Sequence, residues 1–185
     1  MSRGARNDAA GFGGVSRAMH WAMAVAILGM LGFGTYLGRM EPSLANLWMY
    51  GLHKSVGLCL LAALVLRVIW HRISPPPEPL SEGIAPWQRG LARGVHGGLY
   101  LLMAAVPLTG WIGSSATGID TVFFGRWTVP PIAPVSERLE DIFMGLHWVL
   151  TKVLVLCLVL HVAGALDRHF HKGDATLRRM WRGRA

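Results

Sequence analysis

The chain has 185 residues, of which 52% are hydrophobic and only 15% charged, and its mean hydropathy is +0.40. Soluble domains carry charge on roughly a quarter of their residues, so this composition excludes an ordinary soluble globular protein. The formal net charge is +8, from 18 Lys and Arg against 10 Asp and Glu. Nucleic-acid binding explains this charge poorly, because the basic residues are divided among separate segments that flank apolar stretches.

Four long apolar segments dominate the sequence. Each approaches or reaches the roughly 20 residues that a helix needs to cross about 30 Å of hydrocarbon, and lipid requires a backbone whose hydrogen bonds are satisfied internally. The sequence therefore predicts an all-α, integral membrane four-helix bundle at residues 19–166, between an N-terminal segment, 1–18, and a basic tail, 167–185. The four apolar segments are residues 19–37, 53–70, 95–113 and 143–166.

Basic residues are distributed unevenly about these predicted helices. Twelve of them lie before the first helix, between the second and third, or after the fourth, whereas three lie in the two opposite loops. Positive residues favour the cytoplasmic side, so both termini are predicted to be cytoplasmic. The twelve are Arg3, Arg6, Arg17, Arg72, Arg89, Arg93, Arg168, Lys172, Arg178, Arg179, Arg182 and Arg184, and the three are Arg39, Arg126 and Arg138.

The fourth apolar segment carries a histidine near each end of the run GLHWVLTKVLVLCLVLH, residues 145–161. His147 and His161 are 14 residues apart, which is about 21 Å and close to four whole helical turns, so both point to nearly the same side. Imidazoles in a membrane helix are costly unless they have a function. The pattern favours two ligand sites at two depths in the bundle.

The same four-turn spacing recurs on the other three predicted helices. It relates His53 to Arg67, His20 to Gly34 and His96 to Gly110. We interpret this as two flat ligands, each held by histidines from some helices, with glycine on others allowing a large ring to approach the backbone.

Haem suits paired imidazoles in a helix bundle better than zinc, which prefers four clustered ligands. The chain has no CxxCH motif, so any haem would not be attached through the usual thioether motif. At the outer level His53 is expected to pair with His147. At the inner level His161 has two possible partners, His20 and His96, and spacing does not choose between them. Arg67 is a candidate partner for an anionic haem propionate.

Five stretches of the sequence together resemble the prokaryotic cytochrome b561 family. The resemblance implies two non-covalent b-type haems, electron exchange with ubiquinone or another quinone, and a multi-pass place in the bacterial inner membrane. It implies His20 and His161 as axial ligands of the inner haem, His53 and His147 as those of the outer haem, and no axial role for His96. The stretches are SRAMHWAMA (16–24), YGLHKSVG (50–57), VHGGLYLLMAAVPLTGW (95–111), LHWVLTKVLVLCLVLHVAGAL (146–166) and HKGDATLRRM (171–180).

The expected function is electron transfer between a donor on the outer, periplasmic side and membrane quinone. The donor is superoxide, as in some members of the family, or a redox protein. No catalytic residue is assigned: His96 and His169 are candidates for proton delivery to quinone, and Lys54 and Lys152 for attraction of an anion to the outer haem. Quinone could instead bind at the outer haem.

Two other functions compete with this prediction. Related di-haem cytochromes serve as membrane anchors of dehydrogenase or hydrogenase complexes, and no docking motif separates that role from a stand-alone enzyme. A His-based proton or metal transporter is less favoured, because the chain lacks the internal repeats and broken helices common in transporters.

Overall fold

The computed structural model describes residues 4–80 and 83–183. It is mostly helical, and four of its helices are long and apolar enough to cross a membrane, which confirms the predicted helical membrane fold. Arg3 and Arg184, used above to predict topology, lie outside the described residues. In chain order the elements are α1 (Gly14–Leu37), α2 (Leu47–Ile73), α3 (Pro86–Ala116), β1 (Thr121–Phe123), β2 (Trp127–Val129), α4 (Glu137–Phe170) and α5 (Thr176–Trp181).

The long helices extend beyond the apolar segments because local signals at their ends favour helix. α3 begins with a proline, which suits the first helical position, and Gln88 Oε1 accepts a hydrogen bond from the Ala85 backbone N–H at 3.2 Å. α4 follows Ser136, whose Oγ accepts a 3.4 Å bond from Leu139 N–H, and carries Glu137 and Glu140 in its first turn.

Large apolar side chains on the outside of the long helices would face lipid. Leu28, Leu66, Leu101 and Val159 expose 61, 60, 70 and 59% of their surface. A soluble monomer rarely exposes apolar surface so extensively on every long element. The described chain is therefore a membrane protein.

Contacts divide the chain into two compact units. The terminal unit contains the described residues of 4–23, 63–100 and 154–183, and the central unit contains 24–62 and 101–153. Each unit thus draws on all four long helices.

In the terminal unit, polar contacts tie the N-terminal part of the chain to the end of α2. Asn7 donates its backbone N–H to Ser74 Oγ at 2.9 Å and its side-chain Nδ2 to the Ser74 carbonyl at 2.8 Å. Trp70 Nε1 donates to Ser16 Oγ at 2.9 Å. These bonds hold together segments that are far apart in the sequence.

The basic tail is packed into the same unit through two of its arginines. Arg179 is only 6% exposed, and its guanidinium donates to the carbonyls of Ala9, Ala10 and Glu78 at 2.9, 3.0 and 3.1 Å. Arg168 pairs with Asp174 at 2.6 Å. The tail is therefore partly a structural element rather than only a solvated charge run.

In the central unit, the loop after α3 contains an antiparallel hairpin, where the sequence predicts only a loop. β1 and β2 pair with Phe123 opposite Trp127, and the turn places Phe124 at φ 46° and Gly125 at φ 70°. The Phe124 N–H donates to Ser55 Oγ at 2.9 Å, and Ser55 is completely buried in α2. One serine thus fixes the turn, including a bulky residue in a left-handed conformation that such residues rarely adopt.

Candidate functional site

In the central unit, His53 of α2 and His147 of α4 face each other. Their ring centroids are 6.4 Å apart and the rings are nearly perpendicular, at 80°. Phe33 of α1 lies beside His53, with ring centroids 5.9 Å apart. The two histidines predicted to form the outer pair are therefore neighbours.

The backbone of α3 orients His147. The imidazole Nδ1 lies 2.8 Å from the carbonyl oxygen of Val106, which immediately precedes Pro107 within the helix. A carbonyl only accepts, so Nδ1 carries the proton and donates it. The lone pair of the neutral ring is then on Nε2, the arrangement that a metal-ligating histidine requires.

Each histidine of this pair lies against a glycine of a neighbouring helix. A Cβ added at Gly110 would lie 3.0 Å from His147 Nδ1, and one added at Gly34 would lie 3.0 Å from His53 Cε1. These are the two glycines that the four-turn spacing singled out in the sequence. In the structure the space beside them is occupied by the imidazoles themselves. The absence of a Cβ at these glycines therefore allows the rings to lie where they do.

The separation within this pair fits two imidazoles that share one metal ion. A metal–imidazole bond is about 2 Å and a ring nitrogen lies about 1 Å from the ring centre, so two such ligands on opposite sides of one iron have centroids about 6 Å apart. His53 Nδ1 is buried and lacks a hydrogen-bond partner within the described residues. The residues present therefore fit an axially ligated haem.

In the terminal unit, three histidines meet. His20 of α1 lies with its ring centroid 6.2 Å from that of His161 of α4, and His96 of α3 lies 5.1 Å from His161. His96 is exposed, and its Nδ1 lies 2.7 Å from the Ala92 carbonyl oxygen of its own helix. The His20–His161 separation resembles that of the central pair, whereas His96 makes a closer edge-to-face contact.

A chain of polar side chains that no sequence motif indicates runs through Tyr100 in the same unit. Arg67 Nε donates to the Tyr100 hydroxyl at 3.0 Å, and that hydroxyl lies 3.1 Å from His71 Nδ1. The hydroxyl thus accepts from Arg67 and also forms a hydrogen bond with His71, whose direction follows the tautomer of the imidazole. The available sequence signal was the helical spacing of four residues, which relates Arg67 to His71 and His96 to Tyr100.

The basic side chains of the central unit differ in exposure. Lys54 follows His53 on α2 and is half-buried, while Lys152 is exposed, with its Nζ 5.3 Å from the Trp148 ring centre. Arg126 and Arg138 are exposed.

The remaining candidate, His169, lies in the terminal unit on the last turn of α4. Its ring packs against that of Phe170, with centroids 4.8 Å apart. Its buried Nδ1 has no hydrogen-bond partner in the part of the chain described.

Comparison with known proteins identifies the family of the chain. The family model for prokaryotic cytochrome b561 matches residues 11–183. The chain is 37% identical over 172 residues to cytochrome b561 homolog 2 of Escherichia coli, covering 91% of this chain and 90% of that protein. It is 26% identical over 162 residues to a probable superoxide oxidase, CybB, of Yersinia pestis, covering 88% and 90%. It is 28% identical over 144 residues to cytochrome b561 homolog 1 of Escherichia coli, covering 76% and 78%.

Proposed function

Because the chain belongs to the prokaryotic cytochrome b561 family, whose members are membrane electron-transfer proteins with b-type haem, we propose that it passes electrons through two non-covalent haems to a membrane quinone. The observation that carries the proposal is the pair of histidine contacts, one in each unit, at ring separations of 6.4 and 6.2 Å. Each separation fits two axial ligands of one iron.

The proposed ligands are His53 and His147 in the central unit and His20 and His161 in the terminal unit. Haem bound there supplies one-electron transfer at its iron. The two ligand pairs come from three helices, so each pair depends on the packing of helices that are distant in sequence.

Two features of the central unit support its ligand pair. The Val106 carbonyl holds the His147 proton on Nδ1 and so presents Nε2 as the ligand atom. Gly34 and Gly110 admit the imidazole rings close to the backbone of the adjacent helices.

Arg67 is the proposed partner of an anionic propionate in the terminal unit. Its Nε is already bonded to Tyr100, which fixes the plane of the guanidinium and leaves the two terminal nitrogens to bind an anion. No carboxylate forms an ion pair with Arg67 among the described residues. The hydrogen bond between the Tyr100 hydroxyl and His71 Nδ1 in turn positions the hydroxyl that holds Arg67.

The donor is proposed by its chemical class. A relative named as a probable superoxide oxidase favours superoxide. Positive side chains of the central unit would attract such an anion; they are Lys54, Lys152, Arg126 and Arg138.

Ubiquinone is the proposed acceptor. His96 or His169 of the terminal unit would deliver the protons that quinone reduction consumes. The membrane is proposed to be the bacterial inner membrane, with both termini in the cytoplasm.

The first experiment is a pyridine haemochrome count with a reduced-minus-oxidised spectrum of the detergent-purified full chain. We expect two low-spin b-type haems per chain. His53→Ala and His147→Ala should each remove one haem, and His20→Ala and His161→Ala should each remove the other. His96→Ala is the matched control and should retain both. A colourless protein, or loss of a haem in His96→Ala but not in His20→Ala, would contradict the proposed ligand set.

The electron path is then tested with the haem-loaded protein. Superoxide generated in solution should reduce a short-chain ubiquinone analogue only when the protein is present and both haems are retained. Reduction of the haems by superoxide without reduction of the quinone would contradict quinone as the acceptor. It would leave the proposed haem binding unaffected.

A further inference from the structure

A cavity of about 150 Å³ lies in the terminal unit beside the start of α1. Its lining includes the side chains of Arg6, Arg17 and Arg182 together with Asp8, Gly13 and Gly183. One water molecule takes about 30 Å³ of the liquid, so a group of five heavy atoms fits this volume. The cavity is separate from the histidines and from every residue of the candidate site described above.

The three arginines around this cavity are available to a ligand. Within the described residues, the guanidinium groups of Arg6, Arg17 and Arg182 make no hydrogen bond or ion pair. The two other arginines of this region differ, since Arg168 binds Asp174 and Arg179 binds three backbone carbonyls. These basic residues therefore divide into two that hold the fold and three that surround an open volume.

The charge of the lining is positive. Among its described residues the carboxylate is that of Asp8, whose Oδ1 accepts backbone N–H bonds from Ala10 at 2.9 Å and Gly11 at 3.0 Å. Three guanidinium groups around one cavity repel each other, and an anion among them relieves that repulsion. Arginine also binds phosphate through two parallel N–H bonds, a geometry that an ammonium group does not offer.

Glycines let the backbone and a guanidinium approach the cavity closely. Gly183 is buried at φ +92°, and a Cβ added there would collide with Arg17 Nη1. A Cβ added at Gly13 would collide with the backbone of Arg6. Side chains at these two positions would displace the two arginines from where they stand.

The position of the cavity indicates which kind of anion would bind there. Arg17 lies in the first turn of α1, a helix long and apolar enough to cross a membrane. The first turn of such a helix stands at the depth of the lipid headgroups, where basic pockets meet anionic phospholipid. We propose that Arg6, Arg17 and Arg182 form a binding site for the phosphate group of an anionic membrane phospholipid.

The test uses the full chain, purified in a neutral detergent at about 0.15 M salt, where distant charges are largely screened. Dioleoyl-phosphatidylglycerol is titrated in mixed micelles, and bound lipid is counted by native mass spectrometry. The site variant is the triple substitution Arg6→Gln, Arg17→Gln and Arg182→Gln. We expect it to bind the lipid at least about a hundredfold more weakly than wild type, since each hydrogen bond between an arginine and a phosphate contributes about a factor of ten or more.

The matched control removes the same charge elsewhere in the terminal unit. Its substitutions are Arg72→Gln, Lys172→Gln and Arg178→Gln, three exposed residues whose side chains make no hydrogen bond among the described residues. We expect its affinity to fall less than about threefold. Equal losses in the two triple variants would overturn the proposal, because binding would then follow net charge rather than this cavity.

Two further titrations, with a neutral lipid and with inorganic phosphate, identify the ligand. Dioleoyl-phosphatidylcholine should bind much less tightly than the phosphatidylglycerol, and inorganic phosphate should compete only at far higher concentration. Stabilisation of the wild type by inorganic phosphate alone, with no response to the lipid, would overturn the lipid assignment. The melting temperature of each variant without lipid is measured in parallel, and single Arg6→Gln and Arg182→Gln variants, at exposed positions, keep the test valid if the triple variant fails to fold.

Discussion

The Nδ1 atom of His147 lies 2.8 Å from the carbonyl oxygen of Val106, and Gly110, one helical turn further along α3, lies against the same imidazole. The carbonyl keeps the imidazole proton on Nδ1, and the glycine leaves room for the ring to lie close to the α3 backbone. A single short stretch of α3 therefore controls a histidine of α4 that is distant in the sequence.

Gly110→Ala should disturb the His147 ring and weaken haem binding in the central unit. The added Cβ would lie 3.0 Å from Nδ1 and 3.1 Å from Cε1, so the ring or the helix must move. Overpacking of this kind destabilises proteins by about 1–3 kcal/mol. The melting temperature and the ratio of haem to protein both measure the effect. Gly97→Ala on the same helix is the control, because nothing lies within 4 Å of its added Cβ. Equal behaviour of the two variants would contradict the role given to Gly110.

Arg67→Gln should lower the midpoint potential of one haem. Loss of a cation near an anionic propionate favours the oxidised iron, and a tenfold change in the redox equilibrium of a one-electron couple is about 59 mV. We expect a shift of that size or larger, measured by spectroscopic redox titration. Arg72→Gln, an exposed arginine further along α2, should leave both potentials within error. A shift of both haems by the same amount in both variants would instead indicate a general effect of net charge.

The ionisation of Asp174 makes the stability of the tail depend on pH. Burial raises the pKa of its carboxyl, but hydrogen bonds from Thr176 and Arg168 and the Arg168 charge outweigh burial and hold the pKa below its ordinary value of 3.8. The native pKa is thus lower than the unfolded one. The ionised carboxylate therefore stabilises the fold above about pH 4, and this contribution is lost as the pH falls through the native pKa.

The corresponding experiment compares wild type with Asp174→Asn by thermal unfolding across pH. The difference in free energy of unfolding should be largest near neutral pH and should narrow below about pH 4. Asp167→Asn is the control, since Asp167 is an exposed carboxylate 3.3 Å from His171. A difference between wild type and Asp174→Asn that stays constant with pH would show that the carboxylate charge is not what stabilises the tail.

Ser55→Ala should release the β-hairpin of the central unit. The Phe124 N–H would lose its acceptor, and loss of an ordinary hydrogen bond costs about 0.5–1.5 kcal/mol. Limited proteolysis within residues 121–129 should become faster while the haem content stays unchanged. Ser43→Ala, at an exposed position, should change the stability by less than about 0.5 kcal/mol. Unchanged proteolysis in Ser55→Ala would mean that the strand pairing alone holds the turn.

The four long helices could be predicted from the sequence because lipid imposes a minimum length of apolar residues. Their ends could not, since hydropathy detects only the part that hydrocarbon would cover. Pro86 and Glu137 begin helices well before the apolar segments start, through capping contacts that are local and polar. α4 likewise continues to Phe170, which places His169 on a helix rather than in a solvated tail.

Contacts between distant segments were beyond sequence reasoning. The hairpin depends on a serine 69 residues away from Phe124, and Arg179 reaches the Glu78 carbonyl, 101 residues away. The predicted topology assigns His20, His96 and His161 to one side of the bundle, and the structure brings both His20 and His96 to His161. Tyr100 was missed, because a tyrosine in an apolar helix has no distinctive pattern until its partners are known.

The Arg179 contacts determine the order in which the molecule can be assembled. Arg179 joins carbonyls 169 and 170 residues away, at Ala10 and Ala9, so these bonds form only after residue 179 has been synthesised. The central unit lies entirely between residues 24 and 153 and can complete its contacts earlier. Domains fold as they emerge from the ribosome, N-terminal parts first. His53 and His147 can therefore meet before α5 is made, whereas Trp21, beside His20, receives its contacts with Met180 and Trp181 only after α5 has been synthesised.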